Sequence, residues 1–223
     1  MTRPTVRLVL AISLDGRIAF AGGAKTNLGG IKDREILEES LGWANATMMG
    51  SGTLKAHKSI CLIHNPKIIS NRESQGLCKQ PISLIVSRKA LFLNDWKYFE
   101  QPIQRWLLSP KINKNNIAKL KFNKHLNMEF TWLKTFKKLY TEGFSNIALL
   151  GGKGLIESIL VEDLIDELHL TITPRILAGE YNWVSNHLRN LPQDLSKSNA
   201  WKLKKIKNLQ DNDVALQYIR NRN

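Results

Sequence analysis

Cysteine is nearly absent from this chain: only Cys61 and Cys78 occur in 223 residues. Two thiols cannot staple a small secreted scaffold, which excludes a disulfide framework and suits a reducing compartment with both thiols free. Long hydrophobic runs are missing as well. No window approaches the roughly 18 to 20 consecutive apolar residues that a membrane span needs. Residues 6–14 follow Arg3 and Arg7 as a secretory leader would, yet they run straight into Asp15-Gly16-Arg17 with no small-residue cleavage pattern. They read as a first strand, and the expectation is a cytoplasmic protein with no membrane partner.

Acidic residues are scarce: 19 Asp and Glu face 33 Lys and Arg, a net charge of +14. A balance this basic invites polyanions. The cations are scattered and interleaved with Asn, as in Lys111-Ile112-Asn113-Lys114-Asn115-Asn116, and no helix-turn-helix, zinc-finger or aromatic ribonucleoprotein signature accompanies them. No specific nucleic acid is therefore expected, and the charge points instead to anionic small molecules. His57, Cys61, His64 and Cys78 offer H-x3-C-x2-H, but the paired C-x2-C knuckle of a structural zinc site is lacking. No metal is expected, and neither cysteine is marked as an activated nucleophile.

With 43% hydrophobic residues, the chain can bury one substantial core, and residues 1–223 read as a single α/β domain. Strand-like apolar runs occupy 6–12, 46–49, 82–86, 104–108 and 147–150. Asp33 is placed to cap a helix carrying Ile36, Leu37, Leu41 and Ala44, and Thr131 one carrying Trp132, Leu133, Phe136, Leu139 and Tyr140. Residues 59–81 read as a long polar loop, and 111–124 as a basic insertion. Residues 167–173 alternate as a strand does, with Asp163 and Asp166 as caps on the turn before them. Residues 201–207 and 214–219 flank Asp211-Asn212-Asp213 as a closing hairpin. The sum is a mixed, mainly parallel sheet flanked by helices, with a C-terminal antiparallel hairpin.

Two strand-to-helix junctions are glycine-rich: Gly50-Ser51-Gly52-Thr53 and Gly151-Gly152-Lys153-Gly154. A helix N-terminus presents unpaired amides with partial positive charge, and glycine lets a phosphate come close to the main chain. Such turns suit a pyrophosphate, although neither is a full dinucleotide fingerprint or a Walker loop. Ser87-Arg88-Lys89 closes a core strand with a hydroxyl and two cations where an NAD site would carry an acid, which favours NADPH.

Ser13-Leu14-Asp15-Gly16-Arg17-Ile18-Ala19, Gly50-Ser51-Gly52-Thr53, Leu149-Leu150-Gly151-Gly152, Leu164-Ile165-Asp166-Glu167-Leu168 and residues 174–179 together resemble the reductase domain of the bacterial riboflavin-specific deaminase/reductase family. That family shares the dihydrofolate reductase fold. The zinc signature of the deaminase half, H-x-E with P-C-x-x-C, does not occur here. The resemblance implies an NADPH-dependent, homodimeric enzyme that reduces the ribosyl group of a phosphorylated pyrimidine, 5-amino-6-(5-phosphoribosylamino)uracil, to ribityl.

By the same resemblance Thr53 and the run Gly151, Gly152, Lys153, Gly154, Leu155 and Ile156 would hold the cofactor, Ala11 would lie near the nicotinamide, and Gly50 and Gly52 would permit close approach. Ser87 and Arg88 would grip the 2′-phosphate, and Asp15 would manage a proton or brace its loop. The substrate side departs from the family pattern: Val9 stands for a lysine, Lys25 for a serine, Leu41 for an arginine, His64 for an arginine and Leu150 for a glutamate. Lys25 and His64 can still donate to a phosphate. Two alternatives stay open: reduction of another pterin- or pyrimidine-like substrate, and nucleic-acid binding on a degenerate reductase scaffold.

Overall fold

The computed structural model describes residues 2–22, 28–110 and 121–222. They fall into two compact units, Met1–Pro4 with Glu38–Ala148, and Thr5–Leu37 with Leu149–Asn223.

The first unit is built on parallel strands in the order β5-β4-β3-β2-β6, with β2 at Ala46–Gly50, β3 at Ile82–Val86, β4 at Arg105–Ser109, β5 at Lys124–Asn127 and β6 at Asn146–Leu149. A parallel strand buried on both faces reads as an unbroken apolar run, and here Ala46, Met48, Leu84, Ile85, Leu107 and Ile147 are all fully buried. Three helices accompany them: α2 at Ser51–His57, α3 at Pro66–Ser74 and α4 at Trp132–Thr141, numbered after α1 at Ile31–Trp43. The Thr131 cap forms as expected. Its Oγ1 accepts from the Lys134 amide at 3.2 Å, and Trp132, Phe136 and Leu139 are buried.

One expectation fails in this unit. Residues 59–81 are not an uninterrupted loop, because α3 runs through them. Asn65 Oδ1 accepts from the Lys67 amide at 3.0 Å and Pro66 fills the first helical position, so the Asn-Pro pair starts a helix. What holds α3 down is a buried cation. The Arg72 guanidinium donates to the carbonyls of Leu41, Gly42, Ala44 and Cys78 at 2.6–3.0 Å, capping the end of α1. Gly42 is required there, since a Cβ on it would stand 2.5 Å from Ile68 Cγ2. Of the basic insertion expected at 111–124, residues 111–120 lie outside the described part of the chain, and Lys124 begins β5.

The second unit has the order β1-β7-β9-β8, with β1 at Thr5–Ser13, β7 at Glu167–Thr173, β8 at Trp201–Asn208 and β9 at Val214–Arg220. β1 and β7 run parallel, while β9 lies antiparallel to both β7 and β8, so the mixed, mainly parallel sheet and its C-terminal hairpin are borne out. β8 is exposed from Lys202 onward and is bulged between Leu203 and Lys205.

Ile36 of α1 packs with Leu209 and Ala215 of the hairpin. Asp33 does not cap α1. It sits in the first turn, where the Arg34 amide already donates to the Gly30 carbonyl at 3.1 Å. Nor do Asp163 and Asp166 act as caps. Asp163 pairs with Arg220 and Arg222, and Asp166 accepts from the Val6 amide at 2.8 Å, which ties the start of β1 to the turn before β7. Unit two also contains α5, Lys153–Leu160.

Candidate active site

In unit two, β1 ends in a tightly braced turn. Ser13 Oγ donates to Asp15 Oδ1 at 2.5 Å, and the amides of Leu177 and Ala178 donate to the Asp15 carboxylate at 3.1 and 2.8 Å. These donors, led by Ser13, lower its pKa to about 2. Asp15 is therefore a fixed anion at neutral pH whose oxygens hold the 174–179 segment. Arg17 adds a bond from its amide to Ser13 Oγ at 2.9 Å.

The second element of that unit is the glycine turn before α5. Gly151 is buried with φ near +102°, a conformation that side chains with a Cβ rarely adopt, and the Gly151–Gly152 peptide is cis. Gly152 is the N-cap and supplies no side-chain bond to the first-turn amides. Gly154 is exposed, and a Cβ there would meet open space. Leu155 and Ile156 are buried and anchor the helix, so what they can offer a ligand is main chain. Lys153 is half-buried in the first turn.

Strand alternation defines a polar face beside these turns. Ala11 and Ser13 of β1 share it with His169, Thr171 and Thr173 of β7 and with Ala215 and Gln217 of β9. Burial, then the charge of Arg7, lowers the His169 pKa to about 4, so its ring is neutral. Asp33 reaches the same face through a hydrogen bond with Thr171; its pKa is raised by burial and by the charge of Asp213. Sequence reasoning missed Thr173, Asp33 and Asp213 as site residues, because only the strand register brings them together.

In unit one the glycine turn Gly50-Ser51-Gly52-Thr53 follows β2 directly into α2. Gly50 caps α2 without a side-chain bond, a Cβ on Gly52 would meet open space, and Thr53 is half-buried. At the end of β3, Ser87 is buried, with its amide donating to the Leu108 carbonyl and its Oγ accepting from the Ala90 amide at 3.0 Å. Ser87 thus shapes the turn that projects Arg88 and Lys89 into solvent, and among the described residues no acid pairs with either. Tyr98, bonded to Ser83 at 3.1 Å and packed against Phe99 and Phe122, keeps this connection rigid. The His64 side chain is exposed, and its amide donates to Glu38 Oε2 at 2.8 Å. Lys25 lies outside the described residues. Among the described residues Cys61 and Cys78 are not joined in a disulfide, and no helix is long and apolar enough to cross a membrane.

The chain is similar to named proteins over most of its length. It is 23% identical to a 2,5-diamino-6-ribosylamino-4(3H)-pyrimidinone 5′-phosphate reductase of Archaeoglobus fulgidus over 184 residues, 79% of this chain and 83% of that protein. It is 26% identical to the riboflavin biosynthesis protein RibD of Buchnera aphidicola subsp. Baizongia pistaciae over 212 residues, 91% of this chain but 56% of that one. Among solved structures, a Thermotoga maritima diaminohydroxyphosphoribosylaminopyrimidine deaminase/5-amino-6-(5-phosphoribosylamino)uracil reductase superposes with a TM-score of 0.76 at 17% identity, covering 98% of this chain and 57% of that one. The chain thus spans little more than half of the two bifunctional-length relatives, and the last likeness establishes a shared fold. A model of the RibD C-terminal domain matches residues 4–214, and with the fold and the glycine turns on which the resemblance rested, this chain belongs to the RibD C-terminal domain family.

Proposed function

We propose that this protein is a cytoplasmic reductase that uses NADPH to convert the ribosyl group of a 6-ribosylaminopyrimidine 5′-phosphate into ribityl. The observation that carries the reading is the family match over residues 4–214, and the likeness to a relative named as a pyrimidinone phosphate reductase supports it. The residues present fit the coenzyme: α5 opens with glycines and uncapped amides, as a diphosphate requires, with open space at Gly154. When bound, NADPH supplies hydride to C1′ of the ring-opened imine, and the imine nitrogen takes a proton to become the ribitylamine.

The chain's own work is to position and to exclude water. Gly151, Gly152, Lys153 and Gly154 hold diphosphate in unit two, with the main chain of Leu155 and Ile156 behind them and Ala11 beside the nicotinamide. Gly50, Gly52 and Thr53 are the further residues proposed for the coenzyme, and Ser87 and Arg88 those proposed for its 2′-phosphate. Lys25 and His64 donate to the substrate phosphate. Asp15 acts as a positioning residue, since its three donors keep it ionised. The active form is a homodimer, for which Leu203 and Ile206, 43% and 60% exposed on β8, supply apolar surface.

The test is NADPH oxidation with each of two substrates, the 2,5-diamino-pyrimidinone and the 5-amino-uracil ribosylamino 5′-phosphates, with mass analysis for the ribityl product. Turnover of either supports the reading; failure to oxidise NADPH with both overturns it. Arg88→Ala is expected to raise the KM for NADPH about tenfold and leave that for NADH unchanged, the loss of one charge-assisted phosphate contact. A wild-type preference for NADH would refute the roles of Ser87 and Arg88.

A further inference from the structure

The last rung of the polar face in unit two is built in a way that folding alone does not explain. Ser13 pairs with Thr173 in the β1–β7 register, and Ile172 pairs with Val214 in the β7–β9 register. One further antiparallel step sets Asp213 opposite Thr173, so Ser13, Thr173 and Asp213 form a row across the sheet. Asp33 lies over the neighbouring rung through its bond with Thr171.

Ser13 donates to Asp15 and Thr171 is bonded to Asp33, but Thr173, 0% exposed, has an Oγ1 with no partner among the described residues. A buried hydroxyl left unsatisfied is costly, and valine would fill the same volume without that penalty. Asp213 is also buried, at 4% exposure, and the Gly30 amide approaches its Oδ2 at 3.4 Å, too far for a strong bond. Asp33 folds back so closely that a Cβ on Gly29 would stand 1.9 Å from its Oδ2. Gly29 and Gly30, which stand beside the two carboxyl groups, are half-buried.

A buried hydroxyl with no partner among the described residues, on the rung that carries Asp213 and next to the rung under Asp33, is left for a ligand that brings N–H donors. We infer that Thr173, Asp213 and Asp33 form the wall that reads the pyrimidine ring of the substrate, and that they select a ring with an amino group at C2 over its deaminated counterpart. This inference rests on the function proposed above. The 2-amino-4-oxo ring presents two adjacent donors, N3–H and the amino group, which a carboxylate accepts side by side. The uracil ring replaces that amino group with a carbonyl, turning lone pair toward lone pair. A site built around buried acceptors rejects a ligand that leaves them unpaired.

The experiment compares wild type, Thr173→Val, Asp213→Asn and Asp33→Asn on both substrates, with urea unfolding of each protein alongside. Wild type is expected to favour the diamino-pyrimidinone by tenfold or more in kcat/KM. Thr173→Val is expected to raise the KM for that substrate at least threefold, to leave the KM for NADPH unchanged, and to unfold at the same or higher urea concentration. Asp213→Asn and Asp33→Asn are expected to shrink the preference. A wild-type preference for the uracil, a preference unchanged in all three variants, or a Thr173→Val protein that loses stability and keeps its KM would each overturn the inference. If wild type reduces neither substrate, the proposed function falls by itself. The wall is then judged by thermal shift: it stands if the diamino compound raises the unfolding temperature more than the uracil compound and Thr173→Val abolishes the difference, and it falls otherwise.

Discussion

Replacing Arg72 removes four hydrogen bonds at one stroke. Its guanidinium is 1% exposed, and it donates to Leu41, Gly42 and Ala44 through Nη1 and to Cys78 through Nε. Burial pulls its pKa down, a sign of the desolvation that opposes these bonds. Bonds from a charged donor contribute about 1.5–3 kcal/mol each, and the two hydrogens on Nη1 are shared among three carbonyls, so the equivalent of three full bonds totals about 4.5–9 kcal/mol before the penalty of several kcal/mol for burying an ion that has carbonyls in place of a counter-charge. Arg72→Ala leaves those carbonyls unpaired and a hole beside α3, for a net loss of about 3–5 kcal/mol. At about 2–4 °C per kcal/mol for a chain of this size, the melting temperature falls by about 6–20 °C. Arg72→Lys keeps the charge but loses the fork that spans both Cys78 and the α1 carbonyls, and is expected to lose about half as much. Chemical and thermal denaturation read both values. A loss under about 1 kcal/mol for Arg72→Ala, or equal losses for the two variants, would refute the capping account.

His169 gives a pH dependence. Its folded pKa, about 4, lies below the unfolded value of 6.5, so the unfolded chain takes up the proton first and stability falls as pH drops from 6.5 toward 4. The fall attributable to this ring is about 2 kcal/mol after allowing for partial solvent access, and His169→Gln should flatten that part of the urea-midpoint profile. Gly154→Ala separates helix stability from ligand binding. A Cβ there meets open space in the first turn of α5, so the protein should gain up to about 1 kcal/mol in stability while its KM for NADPH rises severalfold, read by thermal melting and by initial rates.

Residues 167–173 were legible to the residue because a half-buried strand imposes a two-residue period, and Thr131 because a cap and its apolar stripe are local. The α3 helix was not legible, since its anchor is the buried cation of Arg72, and no hydropathy pattern marks a charged residue that finds four carbonyls. β5 hides for a related reason: of Lys124-His125-Leu126-Asn127 only Leu126 is buried, leaving no alternation to read. Asp33 looked like a cap because Asp before an apolar stripe usually is one, but the helix begins three residues earlier, at Ile31, with Gly30 just before it. The two glycine turns stood out from composition alone. The Ser13-Thr173-Asp213 row could not be foreseen, because only the strand register joins Ser13 to residues far along the chain.

The lysines of β8 change the meaning of the large positive charge. This strand ends the order of its sheet, and its open side would offer a template for pairing with any other extended chain. Lys202, Lys204, Lys205 and Lys207 line it, and the bulge between Leu203 and Lys205 breaks its regular spacing. A second β8 drawn alongside would bring ammonium groups against ammonium groups on a bent ladder. Part of the cationic excess is thereby a guard against edge-to-edge aggregation, one that weakens as added salt screens it.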